Sequence, residues 1–170
     1  MNLTDPQKAT LKADITAKQA TGQPLVGVTN EQAIANFYNA QAAPAYIVEK
    51  TLLSRHDILT GTSFTGTLFG WAGALYITRA QGERDAFREM FNTSGTVNPS
   101  LPSIKAAFND IFSGVGGLPN RTHITAMSKR PATVAEKLLA TGLGTDVAPS
   151  TLGAEGTLTA QEVANIIAGV

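Results

Sequence analysis

Along most of the chain, apolar residues recur three and four positions apart, the spacing of helices that bury one face. Capping residues, glycines and prolines cut this pattern into short segments. Thr4-Asp5-Pro6-Gln7 offers a hydroxyl cap, an early proline and a glutamine three residues after the cap, so a helix is expected from about Pro6 to Ala20. Its apolar face is thin, with Leu11 and Ile15 one turn apart and Lys8, Lys12 and Lys18 elsewhere. That predicts a helix on the surface or against another subunit, ended by Gly22 and Pro24. Thr29-Asn30-Glu31-Gln32 repeats the capping logic and opens a short helix with Ile34, Phe37 and Tyr38 on one face, terminated by Pro44. Tyr46 to Leu53 has no clean period, and Ser54 to Leu59 has room for a helical turn or more; strand and helix both stay open there.

From Thr60 to Gln81 the text changes, with glycines at 61, 66, 70 and 73 and another at 82. Each glycine costs about 1 kcal/mol relative to alanine in a helix interior, so the segment reads as extended or looped. Phe64, Leu68 and Trp71 are expected to fold back onto the core and Leu75 to Thr78 to form a short strand; in an assembly this is the loop that would reach a neighbour, with a purely intramolecular role as the alternative. Helical order returns at Glu83, with Phe87, Met90 and Phe91 on one face, and again from about Leu101 to Ser113, with Leu101, Ile104, Phe108, Ile111 and Phe112. Gly114-Val115-Gly116-Gly117 reads as a stop, and these two helices as the centre of the core.

The stretch Asn120 to Asp146 carries the longest seam, Ile124, Met127, Pro131, Val134 and Leu138, which predicts a docking helix. Pro131 removes an amide donor and should kink or divide that helix near Met127 to Arg130; if the break is complete, Thr133 caps the second half. Lys129, Arg130 and Lys137 flank the seam, and Gly142 and Gly144 end it. The tail, Ala148 to Val170, has an extended portion around Leu152, then the capping box Thr159-Ala160-Gln161-Glu162 before Val163, Ile166 and Ile167. The expected fold is mainly α: a small helical bundle with a glycine-rich extended loop and an extended C-terminal tail. It reads as a single domain over 1–170, with core helices about 83–141, the loop about 60–82 and the tail about 146–170.

Composition narrows the function classes. The 170 residues are 43% hydrophobic and only 15% charged, and 13 basic side chains balance 13 acidic ones, so a polyanion-binding surface is not the default. Cysteine is absent, which excludes disulfides, thiolate metal sites and a cysteine nucleophile. The opening MNLTDPQKATLK lacks the apolar run of a signal peptide and no segment nears the roughly 20 apolar residues of a bilayer span, so a soluble intracellular product is expected. Ala, Gly and Thr are abundant and aromatic residues are 6%, a composition that buries less area per residue; it suits a subunit stabilised by neighbours and equally an ordinary alanine-rich domain.

No motif for chemistry emerges. His56 and His123 lack a second ligand at helical metal-site spacing, Ser113-Gly114-Val115-Gly116-Gly117 is neither a nucleophile elbow nor a phosphate loop, and Glu83, Asp85 and Glu89 fit a helix start. Lys129, Arg130 and Lys137 lack interleaved aromatics and read as a solvated flank, with contact to DNA as the alternative. The expectation is no enzyme, no cofactor and no metal.

Four pieces carry a resemblance: Leu3-Thr4 to Lys18; Ile77-Thr78-Arg79 to Phe91; Phe108 to Gly114; and Lys129 to Leu138 with Gly142-Leu143-Gly144-Thr145-Asp146. In order over most of the chain they resemble virion structural proteins of the head-tail neck region of tailed bacteriophages, and Pro149 to Gly156 resembles the short tail that follows in that family. Pro131 departs from the family's pattern, which has a better helix former there. The resemblance implies a head-to-tail adaptor or connector located in the virion, with no membrane partner. Its partners would be the portal protein, tail or nozzle proteins and further copies of itself in a cyclic ring of about twelve subunits, with DNA passing through the lumen. It places the assembly interface at Trp71, Lys129, Arg130, Val134, Lys137 and Leu138. Another virion component, such as a tail or capsid-associated protein, is the nearest rival, and a small enzyme or regulatory domain the more distant one.

Overall fold

The computed structural model describes residues 1–61, 68–70 and 74–170. The described elements are α1 (Asp5–Lys18), α2 (Glu31–Asn39), β1 (Ile47–Glu49), β2 (Leu53–Ser54), α3 (Arg55–Thr60), α4 (Ala74–Ile77), α5 (Gln81–Glu89), β3 (Thr96–Val97), α6 (Pro102–Ile111), α7 (Gly114–Met127), β4 (Lys129–Pro131), α8 (Val134–Leu139) and α9 (Ala160–Ala168). The fold is mainly α, as expected. Its short strands form two ladders: β1 with β4, and β2 antiparallel to β3 with Leu53 opposite Val97 and Ser54 opposite Thr96. The contacts divide the chain into two compact units, Met1–Val48 with Pro131–Val170 (unit 1) and Glu49–Arg130 (unit 2), where the sequence reads as one domain.

Unit 1 joins the two ends of the sequence. Its core is Leu11 and Ile15 of α1, Ile34, Ala35 and Tyr38 of α2, Ala135 of α8, and Val163 and Ile166 of α9, with Leu25 and Leu158. The thin face of α1 packs inside the unit: Leu11 and Ile15 are buried, while the rest of the helix is exposed or half-buried at the unit's surface. Two apolar residues suffice because they are one turn apart and enter a core that three other helices already line. The helix starts follow the capping signals. The Thr4 N–H donates to Gln7 Oε1 at 2.9 Å, Asn30 Oδ1 accepts from the Ala33 N–H at 2.9 Å, and Thr159 and Glu162 cap each other reciprocally. The terminal helix announced by Thr159-Ala160-Gln161-Glu162 is α9, and it folds back into this core through Val163 and Ile166.

Unit 2 is held by aromatic rings. Phe69, Tyr76, Phe87, Phe91, Phe108 and Phe112 join Leu53, Ile58, Val97 and Ile124 in one buried cluster, so the helices carrying Phe87 and Phe108 do lie at the centre of a core. Within the glycine-rich segment, Phe69 is the buried residue and Leu68 is exposed, the reverse of the expected inward Leu68. Leu75 to Thr78 is not a strand; α4 occupies Ala74–Ile77, and Asn120 Nδ2 holds the Leu75 carbonyl at 2.6 Å. Phe64 and Trp71 lie outside the described residues.

Residues 114–139 depart furthest from the helical pattern expected of them. The glycine run does not merely stop α6; it forms the first turn of α7. A Cβ on Gly117 would lie 1.9 Å from the Phe112 carbonyl oxygen, so the chain turns from α6 into α7 through a corner with no room for a side chain. Arg121 donates from Nη1 to the Phe112 and Gly114 carbonyls and closes that corner. Further along, the single seam from Ile124 to Leu138 is not one helix. α7 ends at Met127, β4 takes Lys129–Pro131, and α8 starts afresh at Val134. The break predicted at Pro131 is complete, and Thr133 caps the second half as the sequence suggests: its hydroxyl accepts from the Glu136 N–H at 3.2 Å. Ile124 and Met127 then pack in unit 2, whereas Val134 and Leu138 pack in unit 1.

Candidate assembly surface

α8 is only six residues long, and its placement rests on Glu136. This carboxylate is 1% exposed; Oε2 accepts from the Thr133 N–H at 3.0 Å and Oε1 from the Gly156 N–H at 3.3 Å. A buried carboxylate is tolerated when backbone N–H groups satisfy it, and here it ties the start of α8 to the turn before α9. With Ala135 and Glu136 facing inward, Val134, Lys137 and Leu138 are left half-buried on the outer side.

These three side chains meet Asp14 and Lys18 of α1, Phe37 of α2, and Ala42 and Ala43 around a groove of about 440 Å³. Its floor is apolar: Phe37, Val134 and Leu138 pack at the margin of the unit 1 core. Its rim is charged. Lys18 Nζ lies 3.3 Å from Asp14 Oδ1, and the Tyr38 hydroxyl donates to Asp14 Oδ2 at 2.6 Å, so Asp14 is shared between a cation and a phenol. Burial first, then the hydrogen bond to Asp14 and its charge, push the Tyr38 phenol well above its ordinary value. Lys137 also lines the groove, and its ammonium lies 5.6 Å from the centre of the Tyr46 ring, a cation-π contact. Tyr46 is itself fixed, its hydroxyl donating to the Gly142 carbonyl at 3.0 Å and accepting from Ser150 Oγ at 2.7 Å.

Tyr38 gives a pH test. A phenol whose folded value is raised contributes stability that is complete below the unfolded value of about 10 and is lost as pH rises beyond it. Thermal melts should therefore fall with pH above about 10, and Tyr38→Phe should flatten that fall; an unchanged slope would show that burial and Asp14 do not raise the Tyr38 phenol.

Of the interface residues expected from sequence, Val134, Lys137 and Leu138 come together. Lys129 and Arg130 belong to β4 and unit 2, both half-buried, and Trp71 lies outside the described residues. Asp14, Lys18, Phe37, Ala42 and Ala43 were not among the expected interface residues. The Asp14/Lys18 spacing was the one visible signal, since residues four apart share a helix face.

His123, Glu83, Asp85 and Glu89 make contacts within the fold. His123 is buried, stacks on Phe69 at 5.0 Å between ring centres and places Nε2 3.1 Å from the Ile58 carbonyl; His56 is exposed. Glu83 receives both Arg79 Nε at 2.8 Å and Nη2 at 2.5 Å and the Ala80 N–H at 3.1 Å, and the Arg79 hydrogen bonds hold its carboxyl below the usual range. Asp85 accepts from Gln81, and Glu89 from Asn92. Among the described residues, no group of three or more His, Cys, Asp or Glu side chains is placed to hold a metal ion, and no helix is long and apolar enough to cross a membrane. No family model, no curated protein and no solved structure matches this chain.

Proposed function

We propose that this chain is a structural subunit of a tailed-bacteriophage virion, a head-to-tail adaptor that forms a cyclic ring below the portal and performs no catalysis. The observation that carries the reading is the groove in unit 1. Val134, Lys137 and Leu138, which lie in the piece that most resembles neck proteins, converge there on an apolar floor with a charged rim, the anatomy of a contact patch. Further support comes from aliphatic side chains held in solvent on ordered segments, with Val115 91% exposed in α7 and Val147 95% exposed after α8. Such side chains gain free energy when a neighbour covers them.

The mechanism is geometrical. Each copy in a cyclic ring presents two different faces to its neighbours, and the closed ring is the platform on which the tail is built. The balance of 13 basic and 13 acidic residues suits a lumen through which DNA slides, because many phosphate contacts would hold it in place. Mass spectrometry of purified particles tests the reading: the chain should be present at the copy number of a neck ring, and its absence from the particle would refute it.

A further inference from the structure

Around the groove the charges do not balance. Among the described residues, Asp14 is the one carboxylate lining it, and it is already shared by Lys18 and the Tyr38 hydroxyl. Lys137 has the Tyr46 ring beneath it and, among the described residues, no carboxylate paired with it. The recess thus offers an apolar floor of Phe37, Val134 and Leu138 beside one cation lacking a counter-charge. A volume of about 440 Å³ gives an open groove with room for a short peptide segment. The matching ligand is a peptide segment with aliphatic side chains next to a carboxylate.

One such segment exists in the chain itself. Leu143 is 75% and Val147 95% exposed, with Asp146 between them, and the Thr145 N–H donates to the Ala148 carbonyl at 3.1 Å to brace the loop. That loop starts where the Tyr46 hydroxyl meets the Gly142 carbonyl, and Lys137 lies over the same ring. Recess and loop are therefore neighbours on one face. A second copy using its loop would make a reciprocal, two-fold contact that is complete at a dimer and does not continue into a ring.

We propose that the groove instead receives an acidic, aliphatic segment of a different protein, with aliphatic side chains on the floor and a carboxylate paired to Lys137. The inference rests on the reading of this chain as an assembling subunit and gives the chemistry of the neighbour that this surface selects. The charge pair supplies choice among partners more than affinity, and the buried aliphatic side chains supply affinity.

Fluorescence anisotropy with the purified full chain tests it, using three short fluorescein-labelled peptides: one with two leucines beside two aspartates, one with lysines replacing the aspartates, one with serines replacing the leucines. The first should bind at least about tenfold more tightly than either of the others. Lys137→Glu should remove that preference and shift it toward the lysine peptide, Ala43→Arg should abolish binding by filling the recess, and Lys8→Glu, on another flank of α1, should change nothing. Circular dichroism of each variant reports folding, and Ala43 is exposed, so its replacement leaves the core untouched.

Equal binding of the three peptides, or Lys137→Glu binding like wild type, would overturn the proposal. So would a concentration-dependent dimer lost in both Lys137→Glu and Asp146→Lys, because the chain's own loop would then be the occupant. The outcomes separate from those for the adaptor reading: failed peptide selection with the chain present in particles removes only the partner chemistry. Successful selection with the chain absent from particles removes only the adaptor.

Discussion

Phe87→Ala is expected to cost about 3–5 kcal/mol of folding stability, the range for emptying a fully buried phenylalanine site. The ring is fully buried and meets five others, Phe69 at 5.8 Å, Tyr76 at 5.4 Å, Phe91 at 5.2 Å, Phe108 at 6.3 Å and Phe112 at 5.5 Å between centres. These rings come from α4, α5, α6 and their flanking turns, so no single neighbour can collapse into the space. Aromatic pairs contribute about 0.5–1.5 kcal/mol each beyond their buried area, and several are lost together. Against a total of about 5–15 kcal/mol for a domain, the variant should have a much lower urea midpoint, or not accumulate folded at all. A loss under about 1 kcal/mol would mean that the rings do not share one packed cluster.

Gly117→Ala should destabilise by about 2 kcal/mol or more, opposite in sign to helix propensity, which favours alanine by about 1 kcal/mol. The reason is local. The added Cβ would meet the Phe112 carbonyl oxygen at 1.9 Å and its carbon at 2.4 Å, both backbone atoms, so relief requires moving the end of α6 away from α7. Gly116 is the control. There the new Cβ would meet the tip of Arg79, Nη1 at 2.9 Å, and a flexible side chain can give way. Gly116→Ala is therefore expected to be neutral or to stabilise by up to about 1 kcal/mol. Equal effects at the two positions in thermal melts would contradict the tight corner.

These two sites also mark what the sequence conveys and what it hides. Capping is local chemistry, so Thr4, Thr133 and Thr159 announce their helices in the text, Thr29-Asn30-Glu31-Gln32 announces α2 with the cap itself one residue later at Asn30, and Pro131 announces the break before α8. Periodicity, by contrast, does not say which core a stripe enters. Ile124 and Leu138 lie on one apparent seam, yet they belong to different units, because β4 intervenes and resets the helical phase. Glycine density misleads in the same way: the run at 114–117 reads as a stop, but it serves a close approach of backbone that only the folded chain reveals. The groove was half legible. Val134, Lys137 and Leu138 sit in one helical turn, whereas Asp14, Lys18 and Phe37 come from the other end of the chain and join them only because α1 and α2 pack with α8.

If this chain is an assembling part of a neck, native mass spectrometry of the full chain mixed with the portal protein of the same particle will reveal it. The expected result is a portal ring carrying a fixed set of copies of this chain. Free monomers at every mixing ratio, beside an unloaded portal, would contradict it.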